Sequence, residues 1–178
     1  RTTWKVSASL AAVAAGAGIS STALANDDVV ALVADPGNVV MPSISYNGWN
    51  YSTLDQITLE NVDQLQIAWT WQIGILDSHQ ASPLVVGDTM YIASPKPNYV
   101  YALDLTRDGV IIWEFRPDMN VEEATRQGCC GAQTRGLNYA EGKIFFNTLD
   151  GQVFGLDAAT GEALWRTVGA DLSIGETT

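Results

Sequence analysis

The chain has 178 residues, two cysteines and a formal net charge of −11. An apolar share of 47% is ordinary for a folded protein and argues against extended disorder. The acid excess argues against nucleic acid, because no basic stripe is available to neutralise phosphates. It favours a soluble protein and a basic partner reached by electrostatic steering.

The sequence opens with a cationic start, Arg1 and Lys5, and an apolar, Ala-rich stretch from Val6 to Ile19. It then reaches Ala23-Leu24-Ala25, a small-residue cleavage pattern. Together these predict a secretory signal peptide over 1–25, with the folded part over 26–178 and a periplasmic location. The apolar stretch falls short of the roughly 20 residues that a membrane span requires, and no other segment is long and apolar enough, so no membrane span is expected. With Arg1 and Lys5 set aside, seven basic residues face twenty acidic ones. Cys129 and Cys130 are adjacent, and in an oxidising compartment two thiols able to close form a disulfide. Free, buried thiols are the alternative.

In chain order, residues 26–38 read as a lead-in, with Asp35-Pro36-Gly37 as a turn. The run from Thr58 to Leu65 predicts a short helix capped by Thr58, with Leu59, Val62 and Leu65 on one side. From there the pattern is strand-like almost to the end. Short runs rich in Val, Ile, Tyr, Phe and Trp predict strands at 66–73, 84–86, 90–93, 100–103, 110–115, 143–148, 152–156 and 163–167. Gly87-Asp88, Glu141-Gly142, Asp150-Gly151 and Thr160-Gly161 break them.

A repeat organises these strands. Val100-Tyr101-Ala102-Leu103-Asp104 returns 53 residues later as Val153-Phe154-Gly155-Leu156-Asp157. Trp113 and Trp165 follow their copies at a spacing of 52, and Met90-Tyr91-Ile92 answers Ile144-Phe145-Phe146 at 54. Four short strands per unit of this size are the pattern of propeller blades. Ala68-Trp69 reads as the close of an earlier, partial blade. Two blades do not bury their faces alone, so the chain is expected to be part of a longer one. A small independent β-sandwich is the rival, and the regularity of the repeat weighs against it.

Several stretches resemble the PQQ-dependent (quinoprotein) alcohol dehydrogenase family. Tyr51-Ser52-Thr53-Leu54-Asp55-Gln56-Ile57, with Asn61-Val62 and 65–69, looks like the family's entry segment. Leu156-Asp157-Ala158-Ala159-Thr160-Gly161-Glu162 followed by Trp165 is similar to its tryptophan-docking repeat. Cys129-Cys130-Gly131-Ala132-Gln133-Thr134-Arg135-Gly136 resembles the cofactor loop of the methanol and ethanol branch. Val40-Met41-Pro42 and the run from Pro97 to Leu103 look like methanol dehydrogenase large subunits.

The resemblance implies an all-β fold, the first two or so blades of an eight-bladed propeller. It implies oxidation of a primary alcohol, methanol first, to the aldehyde, with pyrroloquinoline quinone (PQQ) and a Ca²⁺ or lanthanide ion as cofactors. A cytochrome c would take the electrons, and a homodimer or a complex with a small subunit fits the family. Cys129 and Cys130 would form a disulfide on which PQQ stacks; adjacent Cα atoms lie about 3.8 Å apart, closer than the roughly 4.4–6.8 Å that disulfides favour, so the ring would be rigid. Arg135 would bind the cofactor's oxygens, since a guanidinium offers a forked donor set to carboxylate and quinone groups.

Gln80 would line the same site. It stands in His79-Gln80-Ala81-Ser82-Pro83-Leu84-Val85-Val86, where the family's pattern has Glu, so it can donate and accept hydrogen bonds but carries no charge. His79 reads as structural, Arg126 as surface, and Asp104 and Asp157 as turn residues. The resemblance puts the metal ligands and the catalytic Asp after Thr178, so no catalytic or metal-ligating residue is assigned within the chain. A non-catalytic periplasmic propeller scaffold and a quinoprotein acting on another alcohol or a sugar are the competing readings.

Overall fold

The computed structural model describes residues 25–127 and 133–176. The leader expected over 1–25, all but its last residue, and the expected Cys129–Cys130 disulfide lie outside the described residues. No helix among the described residues is long and apolar enough to cross a membrane.

Two four-stranded antiparallel sheets carry the fold, each in simple sequential order. The first contains β1 (Leu84–Val86), β2 (Thr89–Ala93), β3 (Val100–Asp104) and β4 (Val110–Phe115). The second contains β5 (Asn138–Ala140), β6 (Lys143–Asn147), β7 (Gln152–Asp157) and β8 (Ala163–Val168). They are the two copies of the sequence repeat. The match extends to an irregularity: the register slips between Ala102 and Leu103 opposite β4, and between Gly155 and Leu156 opposite β8. Each slip leaves one residue of the outer strand unpaired just before the tryptophan, Ile112 in one sheet and Leu164 in the other. A bulge of this kind bends a strand and re-aims its side chains.

The core lies between the sheets. Alternate residues of the first sheet, Tyr91, Ala93, Val100, Ala102, Trp113 and Phe115, meet Ile144, Phe146, Phe154 and Leu156 of the second. Period-two alternation puts each set on one face. Phe115 meets Phe146 and Phe154 edge-on at 5.9 and 5.3 Å, while Phe146 and Phe154 stack at 5.1 Å. Trp113 closes this core. Its Nε1 donates to the Ala158 carbonyl at 3.0 Å, and the Tyr91 hydroxyl donates to the same oxygen at 3.1 Å. Burial, with a smaller push from Tyr139, raises the Tyr91 phenol to about 12.

The Trp113 ring lies so close to Gly161 that a Cβ there would sit 2.6 Å from it, and Gly161 has φ +75°. Only glycine satisfies both conditions. The same device recurs one step earlier, where a Cβ on Gly109 would meet the Trp69 ring at 2.7 Å. Trp69 therefore packs on Gly109 of the first sheet as Trp113 packs on Gly161 of the second, although the residues around Trp69 form no blade strand. Asp104 and Asp157 close the matching turns, as expected. Asp104 accepts from the Thr106 N–H and hydroxyl and from Arg107, and Asp157 accepts from Ala159 and Thr160. The Thr106 and Arg107 hydrogen bonds hold the Asp104 carboxyl at about 2.

Five elements differ from the expectation, β5 among them, since the sequence predicts no strand at 138–140. Residues 66–73 form no strand: the segment crosses the first sheet with Trp71 edge-on to Tyr101 at 5.0 Å, and no ladder pairs it among the described residues. High β-propensity without a neighbouring strand is insufficient. The helix expected from Thr58 shrinks to a 3₁₀ turn, Val62–Gln64, and Leu59, Val62 and Leu65 are exposed. Asn61 competes with helix formation there, its side chain accepting from the Thr58 N–H and donating to the Gln56 carbonyl.

The lead-in contains α1 (Asp27–Leu32), whose N-cap Asn26 accepts from the Val29 N–H at 3.1 Å. Asp28 accepts from the Glu141 N–H in the β5–β6 turn, which ties α1 to the second sheet. The connection between the sheets holds α2 (Val121–Gln127), started by Asn120, whose side chain accepts from the Glu123 N–H.

Candidate functional site

The site forms where the chain enters β1 and β5. Residues 78–82 run into β1, and 133–136 run into β5. A parallel bridge between Ser82 and Gly136 sets these two extended segments side by side. Gly136 has φ +116°, a backbone conformation that glycine takes without strain, while a Cβ there would stand 3.4 Å from the Ser82 carbonyl oxygen, an ordinary contact. Gln133 Nε2 donates to the Ser78 hydroxyl at 3.1 Å and ties the segments a second time.

Gln80 and Arg135, the two expected cofactor residues within the described part, lie on these neighbouring segments, and both are exposed. Thr134 and Leu137 are buried and anchor the backbone on either side of Arg135 and Gly136. Arg135 forms no ion pair or hydrogen bond among the described residues, whereas Arg107, Arg116 and Arg126 each pair with a carboxylate. The Arg126 partner is Glu123 on the exposed face of α2, in agreement with the surface assignment. His79 Nε2 lies 3.0 Å from the Ala93 carbonyl, a structural contact that holds segment 78–82 to the end of β2.

The connection that carries α2 is tied to the second sheet. The Asp150 carboxylate accepts from the Asn120 N–H and from the Gln152 amide, which also donates to the Asp118 carbonyl. Burial alone would raise Asp150, but hydrogen bonds from Thr148, Asn120 and Gln152 together bring it below the usual range. Asn98, buried in the β2–β3 loop, accepts from the Leu149 N–H and joins the matching loops of the two sheets. Sequence reasoning assigned no contact to Ser78, Gln133, Asn98 or Asp150, although Gln133 lies in the motif from Cys129 to Gly136 and Asp150 in a predicted strand break. They act through contacts between distant segments, and no local spacing announces them.

The donors present suit an anionic quinone: a guanidinium without a partner among the described residues and a neutral amide, carried on two bridged segments. Among the described residues no group of three or more His, Cys, Asp or Glu is placed to hold a metal ion.

Comparison with known proteins places the chain in a family. Residues 43–170 match the PQQ family of glucose, ethanol and alcohol dehydrogenases, β-propeller domain. The chain belongs to that family. It is 47% identical over 161 residues to the lanthanide-dependent methanol dehydrogenase of Methylacidiphilum fumariolicum, covering 90% of this chain and 26% of the relative. It is 43% identical over 174 residues to methanol dehydrogenase [cytochrome c] subunit 1 of Paracoccus denitrificans, covering 93% and 27%. The solved europium-containing methanol dehydrogenase superposes with a TM-score of 0.82 at 47% identity, over 85% of this chain and 26% of that one. The chain thus spans about a quarter of the length of these relatives, and its two sheets are part of a quinoprotein propeller.

Proposed function

We propose that the full chain is a PQQ-dependent alcohol dehydrogenase, with methanol as its first substrate, and that this stretch supplies one side of the cofactor pocket. The observation that carries the reading is the placement of Gln80 and Arg135 on adjacent segments, with no partner for Arg135 among the described residues of an acidic chain. When bound, PQQ would accept the equivalent of a hydride from the alcohol carbon and so yield the aldehyde.

The chain's own residues bind and orient. Arg135 would hold the cofactor's oxygens and offset charge that builds on them. Gln80 would donate or accept a hydrogen bond at the rim without adding charge. The Cys129–Cys130 pair, as a disulfide, would give the flat ring a polarisable surface. The methanol dehydrogenases among the relatives support methanol, and the lanthanide and europium in some of their names support a metal ion that is a lanthanide or Ca²⁺. The relative named for cytochrome c supports a cytochrome c acceptor, for which the acidic surface suits a basic partner. A leader over 1–25 and a periplasmic location complete the proposal.

The test is reconstitution. The full chain, stripped of cofactor, is given PQQ with Ca²⁺ or a lanthanide, and reduction of an artificial acceptor is followed with methanol, ethanol and glucose. Methanol-dependent reduction that requires PQQ supports the reading. Reduction with glucose alone would move the substrate to a sugar, and none with any substrate would favour a non-catalytic propeller.

A further inference from the structure

The two segments that carry Gln80 and Arg135 are fastened on both sides of those residues. On one side is the Ser82–Gly136 bridge. On the other is the Gln133–Ser78 hydrogen bond of 3.1 Å, which joins residues 55 apart in the chain. Gln80 lies midway between Ser78 and Ser82, and Arg135 lies between Gln133 and Gly136, so both fall inside the bracket.

Without the side-chain fastening, the bridge is the single backbone tie between segments that are otherwise extended and unpaired. The contact from His79 to Ala93 fixes the first segment to its own sheet, and the buried Thr134 and Leu137 fix the second to its sheet, but neither contact sets the distance between the two segments. We propose that Ser78 and Gln133 are positioning residues: their hydrogen bond sets the separation of Gln80 and Arg135, and through it the affinity of the pocket for an anionic quinone. The proposal rests on the functional reading above.

A site whose groups are held before the ligand arrives loses less freedom on binding. One hydrogen bond of this kind corresponds to about a fivefold change in affinity. The two residues act through a single bond, so their effects are not additive. Neither is at the centre of the core, and removing the bond should leave thermal stability of the cofactor-free protein nearly unchanged.

The experiment uses the full chain stripped of cofactor and titrated with PQQ by absorbance, alongside a thermal melt of the cofactor-free protein. Ser78→Ala, Gln133→Leu and the double variant should each bind about fivefold more weakly, the double no worse than either single. Ser78→Thr keeps a hydroxyl at the same place and should bind as the parent does. Variants that bind PQQ as tightly as the parent would overturn the positioning role while leaving the pocket itself intact. Losses that multiply in the double variant, or that follow a lowered melting temperature, would overturn it as well. A parent chain that does not bind PQQ would overturn the functional reading and this proposal together.

Discussion

The two sheets are copies of one design, yet their last strands have different fates. Trp113 on β4 is 8% exposed, bonded to the Ala158 carbonyl and pressed onto Gly161 of the next sheet. Trp165 holds the same place on β8 and is 42% exposed, with Leu164 and Val168 exposed beside it. The bulge before the tryptophan is the same in both. What differs is that the second sheet packs on β4, whereas none among the described residues packs on β8. A blade of this fold therefore does not complete its own core; the neighbour's loop and glycine do it. Stability becomes a series of nearest-neighbour terms. The exposed β8 face is the counterpart of a surface that β4 has already buried.

That difference can be sharpened by substitution. In the full chain, Trp113→Ala should cost about 3–5 kcal/mol, the usual loss for a large buried aromatic, read by denaturant unfolding. If the series of docked tryptophans continues, Trp165→Ala in the full chain should cost nearly as much. A cost within about 0.5 kcal/mol, typical of surface sites, would show that the series stops at β8.

Gly161→Ala should be the next largest, about 2–3 kcal/mol, because the methyl must displace the Trp113 ring and adopt a left-handed backbone. Gly142 has a similar φ of +70° with nothing within 4 Å of its would-be Cβ. Gly142→Ala should therefore show only the backbone penalty, about 1 kcal/mol. Equal costs at the two glycines would remove ring docking as the explanation.

The smallest effect concerns the turns. Asp104 falls from its ordinary 3.8 to about 2 in the folded chain. A depressed carboxylate stabilises the fold above its unfolded value, and the contribution fades as pH falls from about 4 towards 2. Thr106→Val removes the largest cause. It should raise the Asp104 value measured by NMR titration and flatten the loss of stability over that acid window. Asp157, lowered chiefly by the Thr160 N–H and hydroxyl, should respond likewise to Thr160→Val.

Much of this fold can be read in the residues because a repeat states it twice. The copies beginning at Val100 and Val153 mark β3 and β7, and Trp113 and Trp165 mark β4 and β8. β5 escaped notice because three residues, Asn-Tyr-Ala, carry too little alternation to stand out. The helices α1 and α2 escaped because Val29, Val30 and Val121 have weak helical preference, and each helix depends on an Asn cap and on contacts elsewhere. Segment 66–73 misled for the opposite reason: its Ile, Trp and Thr residues favour a strand, but a strand also requires a partner. At the site, Gln80 and Arg135 were visible through motif. The bridge that joins them, and the Ser78–Gln133 bond, were not, since both arise from parts of the chain more than fifty residues apart.

The most direct test of the account is the affinity of the cofactor-free full chain for PQQ, measured by equilibrium titration for the parent and for Arg135→Leu. The account predicts one PQQ per chain for the parent, and binding about 10- to 100-fold weaker for the variant, the scale of a lost hydrogen bond to a charged group. A parent that does not bind, or an Arg135→Leu chain that binds as tightly as the parent, would contradict it.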